Sequence, residues 1–166
     1  MTGPLPGMIR RYGRKGIILD TNILLLHLVG RFDPSLISRF KRTAQFGKDD
    51  YLLLDRLLDR FETIVTTPGI LAEVNSLSGQ LPEPVRSQYF LLFSREIAAF
   101  QEDFVESRQL AALAEFVKFG LTDAGIGRVA RERYLILTDD FRLSQYLGKL
   151  GHDVVNFNHI RVLGWS

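Results

Sequence analysis

Four short apolar runs constrain what this chain can fold into. They are "IIL" at 17–19, "TIVTT" at 63–67, "YLILT" at 134–138 and the centre of "DVVNF" at 153–157. Each is shorter than a core helix, and none alternates apolar with polar residues as a half-exposed strand does. β-Branched residues recur in them, and turn residues or acids close them. Strands of this kind are buried on both faces, which is the habit of parallel sheets. Helical periodicity fills the stretches between. Strands alternating with helices predict an α/β domain whose parallel sheet is covered by helices on both sides.

The helical stretches can be placed from their caps and stripes. Ile23 to Val29 reads as a helix stopped by Gly30. "DPSLISRFKRTAQF" offers Asp33 as N-cap and Pro34 as first helical residue, with Leu36, Ile37, Phe40 and Ala44 as its apolar stripe. Arg39, Lys41 and Arg42 fall on or near the other face. "DDYLLLDRLLDRF" and "PGILAEVNSLSG" predict two more helices. From Val85 to Phe119 the chain reads as helical with a break near 104–107, and Gly120 ends it. "LTDAGIGRVARER", capped by Thr122 or Asp123, and "DFRLSQYLGKLG" complete the set. The "GIG" at 125–127 lies inside a helical pattern, so it predicts close helix packing and not a phosphate-binding loop.

With 166 residues, one domain is expected. Residues 1–15 read as a flexible basic arm, carrying Arg10, Arg11, Arg14 and Lys15; residues 16–166 read as the domain, with a helical insertion around 31–60. A formal charge of +2 is too small to demand a nucleic-acid partner. The absence of cysteine excludes disulfides and thiolate zinc sites and allows a reducing compartment. The apolar run 17–29 is broken by Asp20, Asn22 and His27 and is too short to span a bilayer. A soluble, cytoplasmic protein with no membrane contact is the expectation. His27, His152 and His159 share no ligand spacing and read as structural or surface residues.

The acids fall where such a sheet collects ligands, outside the carboxyl ends of its strands. Asp20 closes the first strand, and Asp139 and Asp140 close "YLILT". Asp123 opens the helix before that strand, and Glu73 lies on the helix after "TIVTT". Each has an ordinary explanation taken singly: Asp20 and Asp123 as helix caps, Glu73 as a solvated side chain, the Asp pair as a turn. Their joint placement points elsewhere. Clustered carboxylates repel, and a divalent cation removes the repulsion. Oxygen-only ligands suit Mg2+ or Mn2+, which can activate a bound water and stabilise charge on a phosphoryl oxygen.

On these residues the chain resembles the PIN-domain nuclease family, which includes the VapC-like ribonucleases. The resemblance is carried by "IILDTNILL" at 17–25, "TTPGILAEV" at 66–74, "LTDAGIGRVARERYLILTDDFRL" at 121–143 and "VVNF" at 154–157. It implies a three-layer α/β/α sandwich around a parallel sheet of four or five strands. It also implies a ribonuclease dependent on Mg2+ or Mn2+ that hydrolyses single-stranded RNA. Carried over by position, the catalytic acids are Asp20, Glu73, Asp123 and Asp140, with Asp139 a further candidate metal ligand. Thr21, Asn22 and Thr138 would support them. Since neighbouring residues of an extended chain point opposite ways, one of Asp139 and Asp140 is expected to face the metal directly. Arg10, Arg11, Lys41 and Arg142 are candidates for phosphate contacts. A helical insert leaves room for a homodimer. The extra sequence around 31–60 departs from the shorter VapC-type toxins and argues against an antitoxin partner.

Two other readings compete. A haloacid-dehalogenase-like phosphatase also places Asp after its first strand and can end a later strand in "DD", but it needs a second Asp where this chain has Asn22. A PIN-like module that binds nucleic acid or protein without turnover would keep the fold and lose the chemistry.

Overall fold

A computed structural model describes residues 3–163. Five parallel strands form one sheet: β1 (Ile17–Leu19), β2 (Ile64–Thr66), β3 (Gln101–Glu102), β4 (Leu135–Thr138) and β5 (Val154–Asn156). Their order across the sheet is β3-β2-β1-β4-β5. Ile17 pairs with Ile64 on one side and Leu135 on the other, so β1 is central, and its three residues are buried on both faces. The order reverses at β1, and the crevice beside its carboxyl end is where such sheets take ligands.

Four helices lie between β1 and β3: α2 (Thr21–Phe32), α3 (Lys48–Leu58), α4 (Pro68–Ser78) and α5 (Val85–Ala99). Right-handed crossovers put them on one face. α2 is buried from Ile23 to Gly30, because it packs on β1 and β4 and is covered by α3, α4 and α5. A helix apolar on every side is stable only inside such a layer. The other face carries α6 (Ser107–Ala111), α7 (Ala114–Phe119), α8 (Leu121–Ala130) and α9 (Phe141–Lys149), and α10 (Phe157–Leu163) follows β5. The arrangement is a three-layer α/β/α sandwich. Among the described residues no helix is long and apolar enough to cross a membrane.

Several sequence expectations need correction. The segment expected to be a flexible arm forms a helix, α1 (Leu5–Tyr12), and Leu5, Ile9 and Tyr12 enter the core. Their i, i+4, i+7 spacing is a short amphipathic stripe, hidden in the sequence by the basic residues around it. Met1 and Thr2 lie outside the described residues. The helix expected from Pro34 does not run through to residue 46. Asp33 does cap it, accepting from Ser35 N–H at 3.0 Å, but only the 3₁₀ turn Pro34–Leu36 and further turns follow. Buried Thr43 donates its hydroxyl to the Ile37 carbonyl at 2.7 Å, taking an acceptor that a continuous helix would use.

β3 falls within the stretch expected to be helical, just ahead of the break expected near 104–107. Its two residues are polar and exposed, as an edge strand permits, so no apolar run announces it. Gly120, with φ of +88°, ends α7 and caps α8; neither Thr122 nor Asp123 takes the N-cap role. The paired glycines of α8 behave as expected. A methyl group at Gly127 would meet Leu147 at 3.1 Å, and one at Gly125 would meet Leu110 at 3.5 Å. α9 and α6 therefore pack closely on that helix.

Candidate active site

Asp20 follows the last residue of β1 and is the N-cap of α2. Its backbone N–H continues the sheet by donating to the Leu137 carbonyl at 3.0 Å. One carboxylate oxygen, Oδ1, accepts from Ile23 N–H at 3.0 Å, the ordinary bond of a helix cap. The other, Oδ2, accepts from the Thr138 hydroxyl and from Asp139 N–H at 3.1 Å. The residue is only 6% exposed. Burial, reinforced by the charge on Asp139, pushes its carboxyl up to about 8, although the three hydrogen bonds act the other way.

The two neighbouring acids are separated by the turn after β4. Asp139 faces Asn22, whose amide donates to its two oxygens at 3.3 and 3.5 Å. The carbonyl of Asp139 is held by the Asn158 amide at 3.1 Å. Asp140 is exposed and caps α9, accepting from Leu143 N–H at 3.0 Å. Its backbone N–H donates to Thr138 Oγ1 at 3.0 Å. Thr138 thus links both acids: its hydroxyl serves Asp20, and its oxygen fixes the turn that presents Asp140.

Glu73 projects from the second turn of α4 and is clamped between two hydroxyls. Thr21 Oγ1 donates to it at 2.7 Å and Thr122 Oγ1 at 2.8 Å. Freed from capping α8, Asp123 is half-buried, and its carboxyl is pushed up to about 6, first by desolvation and then by the charges of Asp140 and Glu73. Segments following β1, β2 and β4, together with the start of α8, therefore bring five carboxyl groups to one edge. Sequence reasoning missed Thr122 as a partner of Glu73 and Asn158 as a support of Asp139. The first could have been suspected from its place beside Asp123; the second has no signal short of the fold.

In kind, this donor set fits a hard divalent cation, since every candidate ligand atom is oxygen. The carboxyls of Asp20 and Asp123 are raised first by burial and then by neighbouring carboxylates, and it is the second contribution that such an ion relieves. In spacing it is looser: among the described residues no three His, Cys, Asp or Glu side chains stand close enough to hold an ion as placed. Asp20 and Glu73 are drawn instead toward threonine hydroxyls.

The basic residues divide. Arg142 lies in the first turn of α9 beside Asp140, its guanidinium 5.7 Å from the centre of the Phe119 ring. Lys41 is exposed on the turns before α3. Arg11 is paired with Asp153 at 2.9 Å, just ahead of β5 and therefore at the amino edge of the sheet. Arg10 shares that short helix. Neither Arg10 nor Arg11 is on the acids' edge, which corrects the expectation that they meet phosphate there. The chain matches no protein-family model, no curated protein and no solved structure.

Proposed function

We propose that the acid edge is the active site of a PIN-like, divalent-metal-dependent nuclease acting on single-stranded RNA. The observation that carries this reading is the meeting of Asp20, Glu73, Asp123 and the Asp139–Asp140 pair at the point where the strand order reverses. The motif resemblance, carried in part by the same acids, supports it. A Mg2+ or Mn2+ ion, when bound, supplies Lewis-acid activation of water and offsets charge on the phosphoryl oxygens.

The chain's own residues do the positioning. Asp20, Glu73, Asp123 and Asp140 would hold the ion, directly or through water. Ile23 and Asp139 N–H groups and the Thr138 hydroxyl orient Asp20. Thr21 and Thr122 orient Glu73. Asn22 steadies Asp139, the carboxylate whose charge bears on Asp20. Arg142 is on the correct edge to meet a phosphate.

The test is cleavage of a labelled single-stranded RNA and its DNA counterpart with Mn2+, Mg2+ or chelator. Wild type should cut RNA only with metal, and Asp20→Asn and Asp140→Asn should each abolish cutting. A wild type silent on every substrate with either ion would sink the catalytic claim. The second reading, a binding module without turnover, is favoured by the loose spacing of the carboxylates; it predicts binding of nucleic acid or protein and no cleavage. A phosphatase of the haloacid-dehalogenase type is disfavoured, because Asn22 stands where its second Asp is needed and donates to Asp139.

A further inference from the structure

We propose that Phe104 and Phe141 are stacking platforms for two unpaired bases, one beside the Thr122–Glu73 contact and one beside Asp140, so that the strand is gripped by its bases while its phosphate faces the acids. The inference rests on the nuclease reading above and adds the residues that select a single strand.

Exposure is the first observation. Of the 12 phenylalanines, only Phe104 and Phe141 leave more than half of their surface in water, at 71% and 58%. Position is the second. Phe104 stands two residues past β3, next to Asp103, whose N–H donates to the Thr66 carbonyl at 3.0 Å and anchors the loop beside β2. Phe141 is the first residue of α9 and the neighbour of Asp140. The strand order therefore sets Phe104 after β3, Glu73 on the helix after β2, Asp20 after β1, and Asp139, Asp140 and Phe141 together after β4, with Asp123 on α8 beside them. Three strand spacings separate the ends of β3 and β4, about 14 Å at the usual interstrand distance.

The third observation connects one platform to the acids. Phe104 walls a cleft of about 580 Å³ together with Leu110, Leu121 and Thr122. Thr122 is the residue whose hydroxyl holds Glu73 at 2.8 Å, so cleft and acid row share a wall. The volume lies within the range of sites that enclose small organic ligands.

Chemistry then selects the occupant. Carboxylates repel a phosphodiester unless a cation stands between them, whereas bases are flat and uncharged. An acid row flanked by aromatic faces suits a strand whose phosphate meets the cation and whose bases meet the rings. Stacking of this kind tolerates any base, because every base has a π-face. A duplex keeps those faces paired and stacked and cannot offer them.

Single-turnover cleavage with Mn2+ over a range of protein concentrations tests the proposal. The substrates are a labelled hexanucleotide RNA, the same strand in a duplex, and the same strand with an abasic position beside the cut bond. Phe104→Ala and Phe141→Ala should each raise the half-saturating protein concentration about 5- to 150-fold, as loss of one stacked base predicts. The effect should fall mainly there and not on the maximum rate. Phe104→Trp should restore binding, and Leu91→Ala, an exposed apolar change on α5, should leave cleavage unchanged. The abasic strand should be bound weakly by wild type, and one of the two alanine variants should add little further loss on it.

Equal cutting of strand and duplex, or alanine variants that match wild type, would overturn the stacking proposal while leaving the nuclease standing. The second of those results is also what a protein partner seated on Phe104 would give. Absence of cleavage by wild type on every substrate would instead overturn the nuclease reading, and stacking with it.

Discussion

Replacing Asp20 by Asn should make the metal-free protein more stable above neutral pH and less stable in acid. In the fold the Asp20 carboxyl is pushed from 3.8 up to about 8. Below 3.8 both folded and unfolded chains hold the proton, and the shift has no effect on stability. Between 3.8 and about 8 the folded chain keeps a proton that the unfolded chain releases, so stability falls as pH rises. By pH 8 the loss approaches about 5 kcal/mol.

Asn removes that loss, because it has no proton to release. Its carbonyl can still accept from Ile23 N–H, so the cap of α2 survives. Its amide nitrogen then faces Asp139 N–H, and two donors oppose each other where the carboxylate accepted at 3.1 Å. Leaving that N–H unmatched costs about 1–3 kcal/mol at any pH. The balance is a gain of about 2–4 kcal/mol at pH 8 and a loss of about 1–3 kcal/mol near pH 4.

Thermal denaturation in chelator at several pH values reads this directly. For a chain of this size the gain at pH 8 corresponds to a rise in Tm of roughly 5–15 °C. Saturating Mn2+ should raise wild-type Tm and leave the variant nearly unmoved, since an ion bound only by the folded state stabilises it by mass action. A Tm difference between variant and wild type that keeps one sign and size from pH 4 to 8 would refute the reasoning. It would mean that burial does not penalise the Asp20 charge.

Other substitutions separate the structural parts. Gly30→Ala should cost about 2–4 kcal/mol in chemical denaturation despite the better helix propensity of Ala, because the new methyl would lie 2.1 Å from the Tyr51 ring. Ile9→Ala should cost about 2–4 kcal/mol, and Arg10→Ala no more than about 0.5 kcal/mol; equal effects would mean that α1 does not pack as described. Thr138→Val should abolish cleavage while the fold survives, because the hydroxyl that serves Asp20 and the oxygen that fixes Asp140 go together. Thr138→Ser should restore cleavage in the same RNA assay. Thr122→Val should weaken cleavage less severely than Glu73→Gln, since Thr21 still holds the carboxylate.

Legibility followed burial. β1 and β4 were readable because strands covered on both faces must be apolar, β2 and β5 because β-branched residues still mark partly buried strands, and α2 and α3 because their apolar residues recur through the whole helix. β3 was not, because an edge strand of two exposed polar residues leaves no pattern. α1 was missed for the opposite reason: three buried residues on one short helix are outnumbered by the exposed ones around them. In the candidate site, strand ends located the acids, since a strand end and the sheet's ligand edge coincide. The amides and hydroxyls that aim those acids were harder. Asn158 reaches Asp139 from 19 residues away, a relation that only the closing of β5 against β4 creates.

The two acids that cap helices after the central strands also show how cap and charge can be told apart. Asp20 and Asp140 each accept a backbone N–H three residues on, and Ser, Thr or Asn could do the same. Thr67 does so for α4, accepting from Ile70 N–H at 3.1 Å. At Asp140 the negative charge is exposed and inexpensive. At Asp20 it is buried beside a second carboxylate, where capping needs only an oxygen and the charge opposes folding. A neutral cap would serve the helix better. The charge that α2 does not require is therefore the part of Asp20 that a cation would use, and the pH-dependent sign reversal in Asp20→Asn measures that part separately from the cap.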